Sequence, residues 1–533
     1  MHFLLLNFFS IAGNIINTKV ADYFINKSYY SLQSISMNKR IFLFLITICF
    51  YMVSVSQTAN TSSKKINGVL KHLPSNPRYF TDNSGKAIFL TGSHTWENFQ
   101  DMSSKEGRPK LDWKGYLDMM EEYNHNFMRF WVWEHPTRQA WTRTRISINP
   151  LPYKRTGKDT ANDGKPKFDL DQWNNLYYER MRNRIADAGN RGIYVSVMLF
   201  QGWSQNKLNI KGADPFLSHP FNKANNINGI DVMNTTSDEA DKPTLHSLGN
   251  KAALARQEAY IRKVIETVND LDNVLYEIIN EGGTTEWNYH MINYIRAKEK
   301  KMPKQHMIGL GSRVSPPMLN QELWDSPADY ISPTWEPAGW SLPGSSHVQD
   351  YGNNPPANNH DKVCIVDTDH LWGIGGNYIW AWKSFCRGLN PIFMDPWYSS
   401  GGEIDPEEVS YAFVTGGISK DERDYPDYPP LRKNMGYIRN YAQKMDLANM
   451  VPRGDLSTTG YCLASPGAEY LVYFPEGGKA TLNLSEAKGE LEVEWFIPSQ
   501  NRTVKGVSYL KGGYFVVVEP PYSGDAVLYL RKK

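Results

Sequence analysis

The chain has 533 residues, 41% hydrophobic and 21% charged, with a formal net charge of +2. That length exceeds one small domain and suits a large barrel with an appendage. The near-neutral balance, without a long run of like charge, argues against nucleic acid or a membrane surface as the partner.

The N-terminus carries a targeting pattern. Met37-Asn38-Lys39-Arg40 is a short basic region, Ile41 to Val55 is apolar, and Ser54-Val55-Ser56 offers small residues just before Gln57. Residues 37–56 read as a secretory signal peptide, too short for a comfortable membrane span. Met37 then marks the true start, and residues 1–36 a mis-called extension. Ile46-Thr47-Ile48 before Cys49 makes no lipobox. The expected location is secreted or periplasmic, with no stable membrane insertion after cleavage. Of the four cysteines, Cys364, Cys386 and Cys462 remain in the mature chain without CxxC spacing. They read as buried thiols, not as a disulfide framework or a zinc site.

From Gly68 onward a short β element, Arg78 to Thr81, precedes the turn Asp82-Asn83-Ser84-Gly85. Strands are then expected at 87–94, 127–134, 193–200, 273–280, 306–311, 328–334, 362–369 and 390–395. Helical patterns run from Trp113 to Tyr123, Gln172 to Ala188, Lys251 to Asp270, Trp287 to Lys300 and Tyr378 to Arg387. Continuous apolar strands alternating with helices indicate a parallel sheet covered on both faces. Eight of them, with no GxGxxG after the first, predict a (β/α)8 TIM barrel over 66–448. The longest insertion, Gln201 to Lys251, follows the third strand and is expected to serve or cover a site. A last helix is expected from Leu431 to Ala448. From Gly460 the texture changes to short strands (469–473, 491–496, 514–518, 526–530), predicting a small antiparallel β-sandwich over 449–533.

Catalytic groups on such barrels sit at the C-terminal ends of strands. The fourth strand ends in Asn280-Glu281-Gly282 and the seventh in Asp367-Thr368-Asp369-His370. Glycosidic cleavage needs two carboxyl groups, separated by about 5 Å for retention or roughly 6.5–9.5 Å for inversion. A lone Glu after a strand is usually a solvated loop residue. At an Asn-Glu-Gly tip the functional reading of Glu281 is preferred. Glu277 lies lower on the same face and reads as a structural ion-pair partner. Asp367 and Asp369 share one face by period-two alternation, one as the catalytic partner and the other shaping the site or holding Arg129. The same Asp-Thr-Asp-His could be half of a metal site, but no second cluster has ligand spacing, and no metal or cofactor is expected. Other tips add His94 and Trp96 (first strand), Arg129, Trp131 and Trp133 (second), Trp335 (sixth) and Trp397 (eighth). With Asn280 and His370 they form the expected substrate-binding set: flat rings for sugar faces, donors and acceptors for hydroxyls. Glu134, Glu336 and Asp395 compete as carboxylates. The partner class is carbohydrate. A binding or adhesion protein on a degenerate barrel is the alternative, though keeping both tips acidic argues for an enzyme.

Asn76-Pro77-Arg78-Tyr79-Phe80-Thr81-Asp82 through Leu90-Thr91-Gly92-Ser93-His94-Thr95-Trp96 resembles the start of apiosidase-like glycoside hydrolase barrels. Asn280-Glu281-Gly282 is similar to the acid/base strand of clan A glycosidases. The tail from about residue 450 resembles the small sandwich labelled a collagen-binding domain. The resemblance spans nearly all of the mature chain. It implies an O-glycosyl hydrolase with Glu281 as acid/base, Asn280 on a sugar hydroxyl, and Arg129 supporting the nucleophile. Where the clan presents Glu on the seventh strand, this chain has only Asp367 and Asp369, each one methylene shorter. Register slightly favours Asp367.

Overall fold

The computed structural model describes residues 66–533 except 104–110, 140–141, 206–213, 234–243, 314–319, 334–351, 372–375, 396–427 and 505–508. Within 138–146 and at His370 only the backbone is described. Eight parallel strands form one sheet: β1 (Gly92–His94), β2 (Phe127–Phe130), β3 (Tyr194–Gln201), β4 (Val274–Asn280), β5 (Ile308–Gly311), β6 (Tyr330–Ser332), β7 (Val363–Asp367) and β8 (Asn390–Met394). Their order is β1-β8-β7-β6-β5-β4-β3-β2. The seam between β1 and β2 closes through Asn126 and Phe127 N–H groups on the Thr91 carbonyl, at 2.9 and 3.1 Å. Gly92 is required there, because a Cβ would lie 2.0 Å from the Phe127 carbonyl oxygen. The result is a (β/α)8 barrel, as the alternation predicts.

Every residue of β3 and β4 is buried, which explains their unbroken apolar sequences in a sheet covered on both faces. The outer layer holds α1 (Trp113–Glu122), α2 (Asn175–Asn190), α3 (Lys251–Val268), α4 (Thr285–Glu299), α5 (Asn320–Asp325), α6 (Tyr378–Cys386) and α7 (Tyr428–Lys444). Their starts are chemically marked: Asp112, Asn250, Thr284 and Asn377 each accept a backbone N–H of the first turn.

Two features depart from the expected elements. The stretch 87–94 divides: Ala87–Ile88 pairs with Phe80–Thr81 in a small antiparallel sheet, and only Gly92–His94 enters the barrel. Between them Asn390 and Asn126 side chains accept the Leu90 and Thr91 N–H groups at 3.1 and 3.0 Å, ending the strand ladder. The segment between β2 and α2, given no elements beforehand, forms antiparallel strands at Thr142–Asn149, Tyr153–Thr160 and Pro166–Trp173. Phe168 and Leu170 of this hairpin join Phe216, Phe221 and Val232 of the insertion after β3 in a satellite core. The described parts of that insertion are therefore anchored by burial.

After α7 the chain forms antiparallel sheets: a main sheet that includes Cys462–Ser465, Glu469–Phe474, Ala526–Lys532 and Glu490–Ile497, and a pair, Ala480–Asn483 with Phe515–Val518. Alternation divides the long strands. Tyr470, Val472 and Phe474 enter a core between the sheets, whereas Leu471 and Tyr473 join the barrel's core. Trp382 of α6 stacks on Tyr473 (6.0 Å) and meets Tyr441 of α7 and Phe496 (5.9 and 6.1 Å). The β-domain is thus built onto the barrel. Cys364, Cys386 and Cys462 are buried free thiols.

Candidate active site

Parallel register determines which side chains meet at the strand ends. Arg129 stands opposite Ser196, Met198 opposite Glu277, and Gln201 opposite Asn280. Arg129, only 2% exposed, organises the centre. It donates Nε to Glu277 at 2.9 Å, Nη2 to Glu277 at 2.5 Å and to Asn280 Oδ1 at 2.8 Å. Its Nη1 donates to Asp367 at 2.6 Å and to Asp369 at 3.4 Å. The planar fork of guanidinium can bridge two carboxylates in this way, whereas an ammonium cannot. The Trp131 ring lies 5.0 Å from the guanidinium carbon and stacks on His94 at 5.3 Å.

The two aspartates differ in their surroundings. Asp367 is saturated: Oδ2 takes Arg129, while Oδ1 takes His94 Nε2 at 3.1 Å and the Asp369 backbone N–H at 3.0 Å. That last bond starts a short 3-10 turn, Thr368–His370, which lifts Asp369 beyond the strand. Burial first, then the charges of Glu281 and Asp367, push the Asp369 carboxyl well above the usual carboxylate range, with Arg129 opposing. The charge of Glu281, at the end of β4, thus reaches Asp369.

Glu281 is 1% exposed and sits at φ +48°, in the left-handed region that a side chain with a Cβ rarely occupies. Trp203, in the turn after β3, donates its indole N–H to Glu281 Oε2. Asn280 donates to Gln201 Oε1 at 3.1 Å while accepting from Arg129. Gly202 lets these tips approach, since a Cβ there would stand 2.4 Å from the Glu281 carbonyl oxygen. Trp203, Gln201 and Gly202 were missed in the sequence. The signal available was an aromatic two residues past a strand end.

Two competing carboxylates are committed elsewhere. Glu134 accepts Gln201 N–H and His246 Nε2, both at 2.8 Å. Against the upward push of burial, His246 and His219 bring it down to about 2. Asp395 is clasped by the Nε and Nη2 of Arg432. Of the expected binding residues, His94 supports Asp367, and Trp96, Trp131 and Trp133 pack together with centroids 5.9–6.1 Å apart. Trp133 is wholly buried and donates its indole N–H to the Trp96 carbonyl at 3.3 Å. Trp335, Glu336 and Trp397 lie outside the described residues, as does the His370 side chain. Among the described residues no cluster of His, Cys, Asp and Glu could hold a metal ion.

The architecture has relatives among solved structures. A glycoside hydrolase matches over 88% of this chain and 97% of its own, with a TM-score of 0.52 at 13% identity. A glycoside hydrolase family 5 protein from Bacteroides vulgatus matches over 87% of this chain and 94% of its own, with a TM-score of 0.55 at 14% identity. No curated protein matches the sequence. Residues 143–316 match the model of a domain of unknown function, DUF6298, a segment that holds Glu281 but not Arg129 or Asp369. At such identities the likeness is one of fold: the chain has the barrel found in these glycoside hydrolases.

Proposed function

We propose that the protein is an exported glycoside hydrolase that cleaves O-glycosidic bonds in a polysaccharide or oligosaccharide. One observation carries the reading: the ends of β4 and β7 present two buried carboxyl groups, Glu281 and Asp369, with Arg129 bonded both to Asp369 and to Asn280 beside Glu281. Glu281 is the acid/base and Asp369 the nucleophile. Asp367 is a positioning residue that holds Arg129 and the turn carrying Asp369. This departs from the register preference for Asp367, whose oxygens are already engaged. Two buried carboxyl groups whose charges act on each other favour one shared proton. In the reactive form the proton sits on Glu281, facing the leaving oxygen, while Arg129 stabilises the Asp369 anion. Retention is the proposed outcome, from the likeness of Asn280-Glu281-Gly282 to clan A barrels. Export rests on the basic and apolar pattern of residues 37–56.

The raised proton affinity of Asp369 favours a second reading of the same pair, with Asp369 as proton donor and Glu281 as nucleophile. A panel of activated 2-deoxy-2-fluoroglycosides, followed by peptide mass spectrometry, separates the two. A sugar on the peptide containing Asp369 supports the first assignment, and one on Glu281 supports the exchange. Glu281→Gln is expected to lower turnover of natural substrates by about 10²–10⁴-fold, the usual contribution of a general acid. Full activity of that variant on a confirmed substrate would remove the assignment, as would glycan binding without any hydrolysis.

A further inference from the structure

The far end of the barrel carries a second constellation that the catalytic reading does not use. A groove of about 710 Å³ opens there, lined among others by Asp82, Lys86, Tyr194, Arg439 and Gln443. Tyr194 begins β3 and Gln201 ends it. At about 3.3 Å per residue the groove therefore lies roughly 20 Å from the Glu281 tip. Arg439, on α7, is only 7% exposed. Its Nη1 donates to the Asn124 carbonyl and side-chain oxygens at 3.1 and 2.9 Å. Among the described residues its Nε and Nη2 have no partner, and no carboxylate forms an ion pair with it. Among the described residues the Tyr194 hydroxyl beside it makes no hydrogen bond either.

A buried, uncompensated guanidinium is rare, because desolvating the cation is repaid only by an anion or by full hydrogen bonding. Two other deeply buried arginines face carboxylates, whereas Arg439 has only the two oxygens of Asn124. Arg129 has Glu277, Asp367 and Asp369, and Arg432 has Asp395. Burial also lowers Arg439 to about 10, with only Tyr194 acting against it. The position is built, not accidental. Asn124, held at φ +55°, presents its oxygens to Nη1, and this aims the opposite edge of the fork at the groove. Gly436, one turn earlier, lets α7 approach, since a Cβ would stand 2.0 Å from the Tyr123 carbonyl oxygen.

We propose that this groove is a binding site for an oxyanion, a carboxylate or phosphate group carried by a small hydroxylated molecule. Arg439 Nε and Nη2 and the Tyr194 hydroxyl are the donors. Asp82, in the same lining, can accept from a hydroxyl of the same ligand and disfavours larger polyanions.

The test is isothermal calorimetry on the whole protein with inorganic phosphate, D-glucuronate and neutral glucose as probes, at constant ionic strength. Saturable binding of phosphate or glucuronate, weakened at least tenfold in Arg439→Gln and several-fold in Tyr194→Phe, is the expected result. Glucuronate binding without phosphate binding identifies a sugar acid, and the reverse identifies a phosphate. If Arg439→Gln fails to fold, Arg439→Lys replaces it. A point charge on a shorter, unforked head should bind measurably less tightly. The proposal is overturned if neither anion binds saturably in the millimolar range. It is equally overturned if glucose binds as well as glucuronate, or if the Arg439 variants bind like the wild type.

Discussion

Replacing Arg129 with Met removes the cation on which three buried carboxyl groups converge. Four of its hydrogen bonds go to carboxylate oxygens: two to Glu277, one to Asp367 and one long one to Asp369. At about 1.5–3 kcal/mol per charged hydrogen bond the gross loss would be on the order of 6–12 kcal/mol. Much of that is offset, because the variant no longer desolvates a guanidinium. Measured losses of one partner from a buried ion pair, about 3–5 kcal/mol, are the better guide. We therefore expect Arg129→Met to lose about 4 kcal/mol at pH 7. For the compact unit 63–533, an unfolding entropy of about 2.1 cal/mol/K per residue turns this into a melting shift of about 4 °C. Urea unfolding at pH 5, 6, 7 and 8 is the assay. The deficit should shrink toward pH 5, since a buried carboxylate that has lost its cation can be neutralised only by a proton. Arg129→Lys should fall between the two, because one ammonium cannot serve Glu277 and Asp367 together. A loss below about 1 kcal/mol, unchanged over this pH range, would refute the view of Arg129 as the charge centre of the site.

Asp369→Asn should stabilise the protein at neutral pH while disabling it. The folded state holds the Asp369 proton more tightly than the unfolded chain. Stability therefore falls as pH rises from about 3.9 toward the raised folded value, by at most about 1.4 kcal/mol per pH unit, and the amide removes that fall. Urea midpoints from pH 4 to 8 that favour the wild type at pH 7 would contradict it. Trp203→Phe deletes the indole donor to Glu281. One charge-assisted bond is worth about 1.5–3 kcal/mol, so kcat should drop about 10–100-fold with KM nearly constant; a pure KM effect would assign Trp203 to substrate binding instead. Gly202→Ala forces a Cβ to 2.4 Å from one backbone oxygen, and should cost about 1–3 kcal/mol together with activity; unaltered kcat would show that the tip tolerates displacement. Trp382→Ala empties the seam between α6 and the β-domain and should cost about 3–5 kcal/mol. Limited proteolysis should then cleave between Lys444 and Val451, and an unchanged pattern would argue that the seam does not hold the domain.

The sequence by itself determined the barrel and the first half of the candidate site. Strands such as Val274–Asn280 are apolar from end to end, and this is legible because covering a parallel sheet on both faces requires it. The Asn280-Glu281 tip follows from the same run, since it is simply where the strand stops. Period-two alternation equally put Asp367 and Asp369 on one face. What separates those two is not local. His94 and Arg129 come from strands more than 230 residues away, and they engage both oxygens of Asp367, whereas Asp369 receives one long bond from Arg129. Trp203 and Gln201 were likewise invisible as partners, because only the parallel register brings β3's end beside that of β4. The short antiparallel excursion at 142–173 was missed because its strands are polar outside a few buried positions and carry little periodic signal. Local hydrophobic pattern marked the strands of the barrel; its closure decided which side chains meet at their ends, since that depends on groups set side by side only in three dimensions.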